Sequence, residues 1–336
     1  MDDALAYLDE QIQALKLHVP AALGAFDETG VHQARVATRR LKAGLDLLSP
    51  LFEAKQAEPI ARAGKRLRRR LGPLRDLDVM VNHIAGFETA PRLKPAVEWL
   101  GSQFEKQRMK ARVEDQEHGQ RAGKILDKFD AWWPLRHALH QHADAIEPLL
   151  TAALHDRFNA FAQQADWVAG VVETPSEHHP LDVHQVRING KALRYTFEIA
   201  AAQGLKIPKR VFKTFKAMQE SLGAWHDYVV LAERALGAMT ETLLAHHTPQ
   251  QAAEVLDLAK VLLKKSVVEL NRFRAQWKRG GAALRASLDK HLPLVRDVIT
   301  PGDVVEITEL KTGLDPISTV ETTPPVTPDA IETPAS

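Results

Sequence analysis

This sequence predicts an all-α protein built from a duplicated helical unit, and three observations predict it. Leucine and alanine recur at helical spacing through most of the 336 residues, and no window sustains period-two alternation. "VHQARVATRRLKAGLDLL" at 31–48 is nearly respelled as "VHQVRINGKALRYTFEIA" at 183–200. The register between the copies is constant. His32, Arg35, Arg39, Lys42 and Asp46 fall opposite His184, Arg187, Lys191, Arg194 and Glu198 at an offset of 152. Leu71, Gly72 and Asp76 then fall opposite Leu222, Gly223 and Asp227 at 151. Agreement over such a span points to duplication.

The elements follow in order. A first helix carries Leu5, Leu8, Ile12, Leu15 and Val19 on one face, and a turn at Asp27–Gly30 leads into the first "VHQAR" helix. Ser49-Pro50 ends that helix, and "EPIARAGKRLRRRLG" forms a third, which leads to Gly72-Pro73 and then to "LRDLDVMVNHI". Pro91 and Pro95 precede a longer helix over 96–126. "DKFDAWWPLRHALH", interrupted by Pro134, reads as a joint. The order then restarts: a helix over 146–169, the turn "ETPSEHHP", the second "VHQVR" helix closed by Gly204 and Pro208, "KRVFKTFKAMQESLG", "AWHDYVVLAERAL", and a last helix over 249–278. Residues 1–130 are expected as an N-terminal helical-bundle half, 131–145 as the joint and 146–299 as a C-terminal half. Residues 300–336 read as a disordered, acidic, Thr/Pro-rich tail in which "VVEITELK" has no evident strand partner.

Composition narrows the function. The hydrophobic fraction of 45% supplies a sizeable core, and the absence of cysteine excludes disulfides and thiolate metal sites and suits a reducing compartment. No apolar run reaches membrane-span length, and "MDDALAYLDE" is not a signal peptide, so a cytoplasmic location with no membrane partner is expected. The net charge of +1 conceals segregation: residues 31–75 hold twelve Lys/Arg against three Asp/Glu, and 184–225 hold eight against two. The tail reverses the sign, with seven acidic residues and one lysine.

On a helix, His32, Arg35, Arg39, Lys42 and Asp46 share an arc of about 80°, opposite Leu41, Leu45, Leu48 and Phe52. His184, Arg187, Lys191 and Arg194 lie opposite Leu193 and Phe197 in the second copy, with Tyr195 near the basic face. Arg62, Lys65, Arg66 and Arg69 make a further stripe. An ordinary solvated face mixes signs, and like charges one turn apart cost stability, so stacked cations on several helices call for an anionic partner. Arginine's planar fork suits phosphate, lysine adds point charge, and protonated histidine donates from both nitrogens. His32 and His184 are expected to titrate near 6.5, strengthening anion binding from about pH 8 to about pH 6. Aromatics are only 6% of the chain, too few for a row of base-stacking platforms, which favours bare phosphate over nucleic acid.

The two "HQxR" helices, each followed by "LGxxxD", closely resemble the CHAD family, the histidine-containing α-helical domain. The matching residues are His32, Arg35, Arg39, Arg40 and Lys42 with "LGPLRDLDV", then His184, Arg187, Lys191, Arg194 and Tyr195 with "LGAWHD", and the resemblance covers roughly 1–290. It implies two four-helix bundles related by an internal pseudo-twofold duplication, a basic groove between them, binding of inorganic polyphosphate, and association with polyphosphate granules. The expected binding set comprises those motif cations and Tyr195, together with Arg62, Lys65, Arg66, Arg69 and Arg75. Arg108 and Arg112 join it from the fourth helix, Lys209, Lys213, Lys216 and His226 follow the second motif, and Lys264 and Lys265 lie on the last helix. The second half departs from the first: Ala192 replaces Arg40, His226 replaces Arg75, and Gln219 and Glu220 replace Arg68 and Arg69.

No cofactor, metal or catalytic residue is expected. Arginine neighbours repel a cation from the motif histidines, and Asp76, Asp78 and Asp227 read as orienting nearby cations rather than converging on magnesium. His137, His140 and His142, like His178 and His179, read as solvated surface. The alternatives are a phosphohydrolase or phosphotransferase acting on polyphosphate, and a nucleic-acid-binding protein.

Overall fold

The computed structural model describes residues 3–116, 122–171, 183–246 and 249–292, and the described residues are predominantly helical, without strands. The helices are α1 (Ala4–Gly24), α2 (Glu28–Leu48), α3 (Ala54–Ala85), α4 (Lys94–Gln116), α5 (Ala122–Leu126), α6 (Trp132–His140), α7 (Ala143–Ala169), α8 (Val183–Ala202), α9 (Lys209–His246) and α10 (Pro249–His291). The "ETPSEHHP" turn with His178 and His179, the acidic tail and "VVEITELK" lie outside the described residues.

Capping sets the starts. The Asp3 carboxylate accepts from the Ala6 amide and opens α1, and Asp27 accepts from Gly30 at 2.6 Å and opens α2. The stretch Asp27–Gly30 is therefore a helix start rather than a free turn. Glu53 and Gln56 form a reciprocal capping box on α3, and Gly170 ends α7 in the left-handed conformation at φ 64°.

One expected break does not occur, and one helix runs past its expected end. α3 runs unbroken through Gly72-Pro73, and α10 continues past Gly280 and Gly281 to His291. Tertiary packing overrides the local signals. A Cβ on Gly280 would stand 3.2 Å from Thr214 and 3.3 Å from Met218, so this glycine admits α9 to α10 rather than ending the helix. The 131–145 segment is itself helical over Trp132–His140. Pro134 sits in the first turn of α6, where a missing N–H costs nothing, and Trp132, Leu135 and Leu139 are buried. The Trp132 indole donates to Asp9 at 2.7 Å, and Arg136 pairs with the same carboxylate.

Three apolar clusters hold these helices. The first packs Leu5, Leu8, Ile12, Leu15 and Val19 of α1 against Leu41, Leu45 and Leu48 of α2, Leu67 and Leu71 of α3, and Trp132. The second joins Phe161 of α7, Leu193 and Phe197 of α8, Phe215 and Met218 of α9, and Phe273 and Trp277 of α10. A third takes Met80 and Ile84 from α3, Leu100 and Phe104 from α4, Leu231 from α9, and Leu258 and Leu262 from α10. It thus ties early and late helices into one core, and residues up to Leu294 form a single unit. α9 and α10 run antiparallel, since Ser221 meets Gln276 and Tyr228 meets Lys265. With its apolar side committed to these clusters, α2 turns its cations toward α3 and α8.

Candidate functional site

The spacing of the motif has a direct physical basis. Arg35 of "HQAR" lies across Gly72 of "LG", where a Cβ would stand 3.1 Å from the guanidinium. From there it donates to the Arg68 carbonyl at 3.0 Å and reaches Asp76, the aspartate of "LGPLRD", at 3.7 Å. Arg68 in turn donates to the Thr38 carbonyl at 3.1 Å, which fixes α2 on α3. The corresponding contact between α8 and α9 uses other residues. Gly190 stands where α2 has Thr38, and its missing side chain leaves room for Gln219, the counterpart of Arg68; a Cβ there would run into the Gln219 amide nitrogen.

α2 and α8 also pack on each other, and their basic arcs interact across that contact. Arg39 acts electrostatically on both Arg187 and Lys191, and Asp76 reaches Arg187 as well as Arg35. His32, Arg35, Arg39 and Arg75 therefore join His184, Arg187, Lys191 and His226 in one cationic seam. Among the described residues Arg39 and Lys191, counterparts in the two copies, make no ion pair or hydrogen bond. Arg187 keeps a buried Nε without a partner.

Crowded, partly buried cations shift against their charged forms. Burial, then Arg39, lowers Arg35 to about 10. Burial lowers Arg187, with Asp227 opposing and Arg39 adding to it. Lys191 falls to about 7 through burial, then Arg187 and Arg39. His32 lies below 6.5 because of burial and then Arg75, and His226 is pushed down to about 3 by burial and then Arg187. The expected titration of His32 near 6.5 thus moves to lower pH in the free protein. The His184 and His226 rings meet tilted at 45° with centroids 5.4 Å apart, and the Arg75-to-His226 exchange replaces a cation with a ring that is neutral at neutral pH.

The other expected residues stand apart from this seam. Tyr195 is buried at 7% exposure among first-cluster side chains, with Arg194 over its ring at 5.0 Å, so it offers a ligand almost no face. Arg40 bonds Glu198 at 2.8 Å, Arg194 reaches the same carboxylate at 3.4 Å, and the Tyr7 hydroxyl donates to it at 2.8 Å. Burial alone would lower Arg40, but Glu198 raises it. Lys42 pairs with Asp46, Arg62 with Glu58, and Lys216 with Glu220. Lys65, Arg66, Arg69, Lys209, Lys213 and Lys264 are exposed. Arg108 and Arg112 approach Asp78 at 3.6 and 3.9 Å, and Lys265 lies over the Phe87 ring at 4.7 Å. Burial raises Asp78, with Glu28 adding to it and the two arginines opposing. Asp227 faces Arg187 and lies 3.8 Å from His83. Each of the three aspartates therefore faces cations, and among the described residues no group of three or more His, Asp or Glu is arranged to hold a metal ion. His137, His140 and His142 are exposed.

Sequence reasoning missed Arg68, Glu198 and Glu28, which meets Arg75 at 3.4 Å and Asn82 at 2.7 Å. For Glu198 a signal existed, since it is the counterpart of Asp46. Its partnership with α1 and α2 is purely tertiary and left no trace in spacing.

Among the described residues no helix is long and apolar enough to cross a membrane. The family model of the CHAD domain matches residues 6–236. No curated protein matches the sequence. Solved structures with a similar fold include the following two. A CHAD domain from the plant Ricinus communis is 22% identical with a TM-score of 0.56, covering 81% of this chain and 89% of that one. PptA from Streptomyces chartreusis is 18% identical with a TM-score of 0.51, covering 84% of this chain and 99% of that one.

Proposed function

The chain belongs to the CHAD domain family, and from that premise we propose that it binds inorganic polyphosphate along the seam between α2 and α8, without catalysis of its own, as a protein associated with polyphosphate granules. The proposal includes two four-helix bundles, α1–α4 and α7–α10, about a pseudo-twofold axis. One observation carries it: Arg39 and Lys191 act on one another across the seam, and among the described residues neither makes an ion pair or hydrogen bond, although Asp227 acts on Lys191 electrostatically. Two helices that bring like charges together at a cost regain that cost when a polyanion lies between them. Polyphosphate places a charge on every unit and no bases, which suits a seam of guanidinium, ammonium and imidazole groups, with Tyr195 closed into the first core beside it.

Binding of this kind releases counterions. A titration with polyphosphate of defined length should lose about a thousandfold in affinity between 50 and 200 mM salt if six or more phosphates are engaged. Salt-independent affinity would count against the electrostatic seam. Competition with single- and double-stranded nucleic acid over the same range tests the base-binding alternative, and magnesium-dependent phosphate release tests the enzymatic one.

A further inference from the structure

Resting on the polyphosphate binding proposed above, we propose that Lys191 takes up a proton when the phosphate chain enters the seam, so that in the alkaline range occupancy depends on pH through this side chain. Lys191 lies mid-way along α8, half-buried, and among the described residues makes no hydrogen bond or ion pair. Every helix packed on α8 contributes to its surroundings. α8 itself presents Arg187 one turn before and Arg194 just after, α2 presents Arg39, and α9 presents Asp227 and His226. The charged or titratable groups that α7 and α1 bring to α8 are engaged elsewhere: Arg157 donates to the Thr196 hydroxyl at 2.8 Å, and Tyr7 to Glu198.

Three cations therefore surround Lys191 against one carboxylate, and Asp227 is shared with Arg187 and His83. Guanidinium groups hold their protons in such company, whereas an ammonium yields its own. Burial, then Arg187 and Arg39, bring Lys191 from 10.5 to about 7. In the empty seam at pH 8 it is mostly neutral.

An entering polyanion favours the charged form and raises the Lys191 pKa in the complex. Protons are then taken up at every pH between the free and bound values. Affinity rises as pH falls from the bound value toward about 7, by up to about tenfold per unit, and this contribution levels off below it, where Lys191 is charged in both states. His32 and His226 start from values below 6.5, so their uptake centres at lower pH.

Calorimetric titration of the full chain with polyphosphate of defined length, at pH 8 in buffers of different ionisation enthalpy, counts the protons. Wild type should take up roughly one proton per site more than Lys191→Arg, whose charge is permanent. The variant should also lose the pH dependence of affinity between pH 7 and 9. Protons exchanged by chain-terminal phosphates are common to both proteins and cancel. Equal uptake by two proteins that both bind overturns the coupling. Where Lys191→Arg binds too weakly to titrate, the wild-type count decides, and an uptake below about 0.2 proton at pH 8 overturns it. Folded protein that does not bind polyphosphate at any pH overturns the binding reading instead.

Discussion

At the scale of single residues, Glu198 shows how charge is sorted in this protein. Its carboxylate takes Tyr7 from α1, Arg40 from α2 and Arg194 from its own helix, at 2.8, 2.8 and 3.4 Å. Those two arginines are thereby held by the protein itself, while Arg39, one residue before Arg40, faces the seam with no such partner. Burial, with Glu198 adding to it, raises the Tyr7 hydroxyl, so the phenol stays a neutral donor across the accessible pH range. Glu198→Ala removes the shared acceptor and leaves two half-buried donors, the Tyr7 hydroxyl and Arg40, without it. It should cost about 1–3 kcal/mol, read as a shift in the denaturant midpoint at constant slope. A change within a few tenths of a kcal/mol would mean that the three groups find other partners.

At the scale of helices, close approach decides where α8 sits. Gly190→Ala places a methyl against Gln219 and should destabilise by about 1–3 kcal/mol, and adding Gln219→Ala in the same chain should recover most of that loss. Additive losses in the double variant would show that the two do not share the space. The apolar faces of α1 and α2 were legible in sequence because burial follows the 3.6-residue period, and Leu8, Ile12, Leu41 and Leu45 are buried as that period requires. Gly72-Pro73 misled as a helix break because the local signal cannot report that Gly72 serves Arg35 from another helix. The same limit applies to the cations. A helical wheel placed Arg39, Lys42 and Asp46 on one arc; the i,i+4 spacing already offers Asp46 to Lys42, which it holds at 2.6 Å, whereas the lack of any partner for Arg39 shows only in the packing. Tyr195 was misplaced for a related reason: it borders the basic arc, yet the first core closes over it.

At the scale of the molecule, a chain of net charge +1 brings cations of α2 and α8 together where these two similarly patterned helices meet. The third apolar cluster, drawn from α3, α4, α9 and α10, holds early and late helices together behind that contact, so the seam is set by the core rather than by its own mutually repelling charges. The central claim is that α2 and α8 serve one anion. Arg39→Glu and Lys191→Glu test it most directly, because each reverses one central charge and leaves the apolar faces of both helices untouched. Polyphosphate titrations at fixed salt and pH should show each variant weakened by at least about tenfold, with the double variant weaker than either, while thermal melts stay close to wild type. Two folded single variants that bind polyphosphate as wild type does would contradict the shared seam.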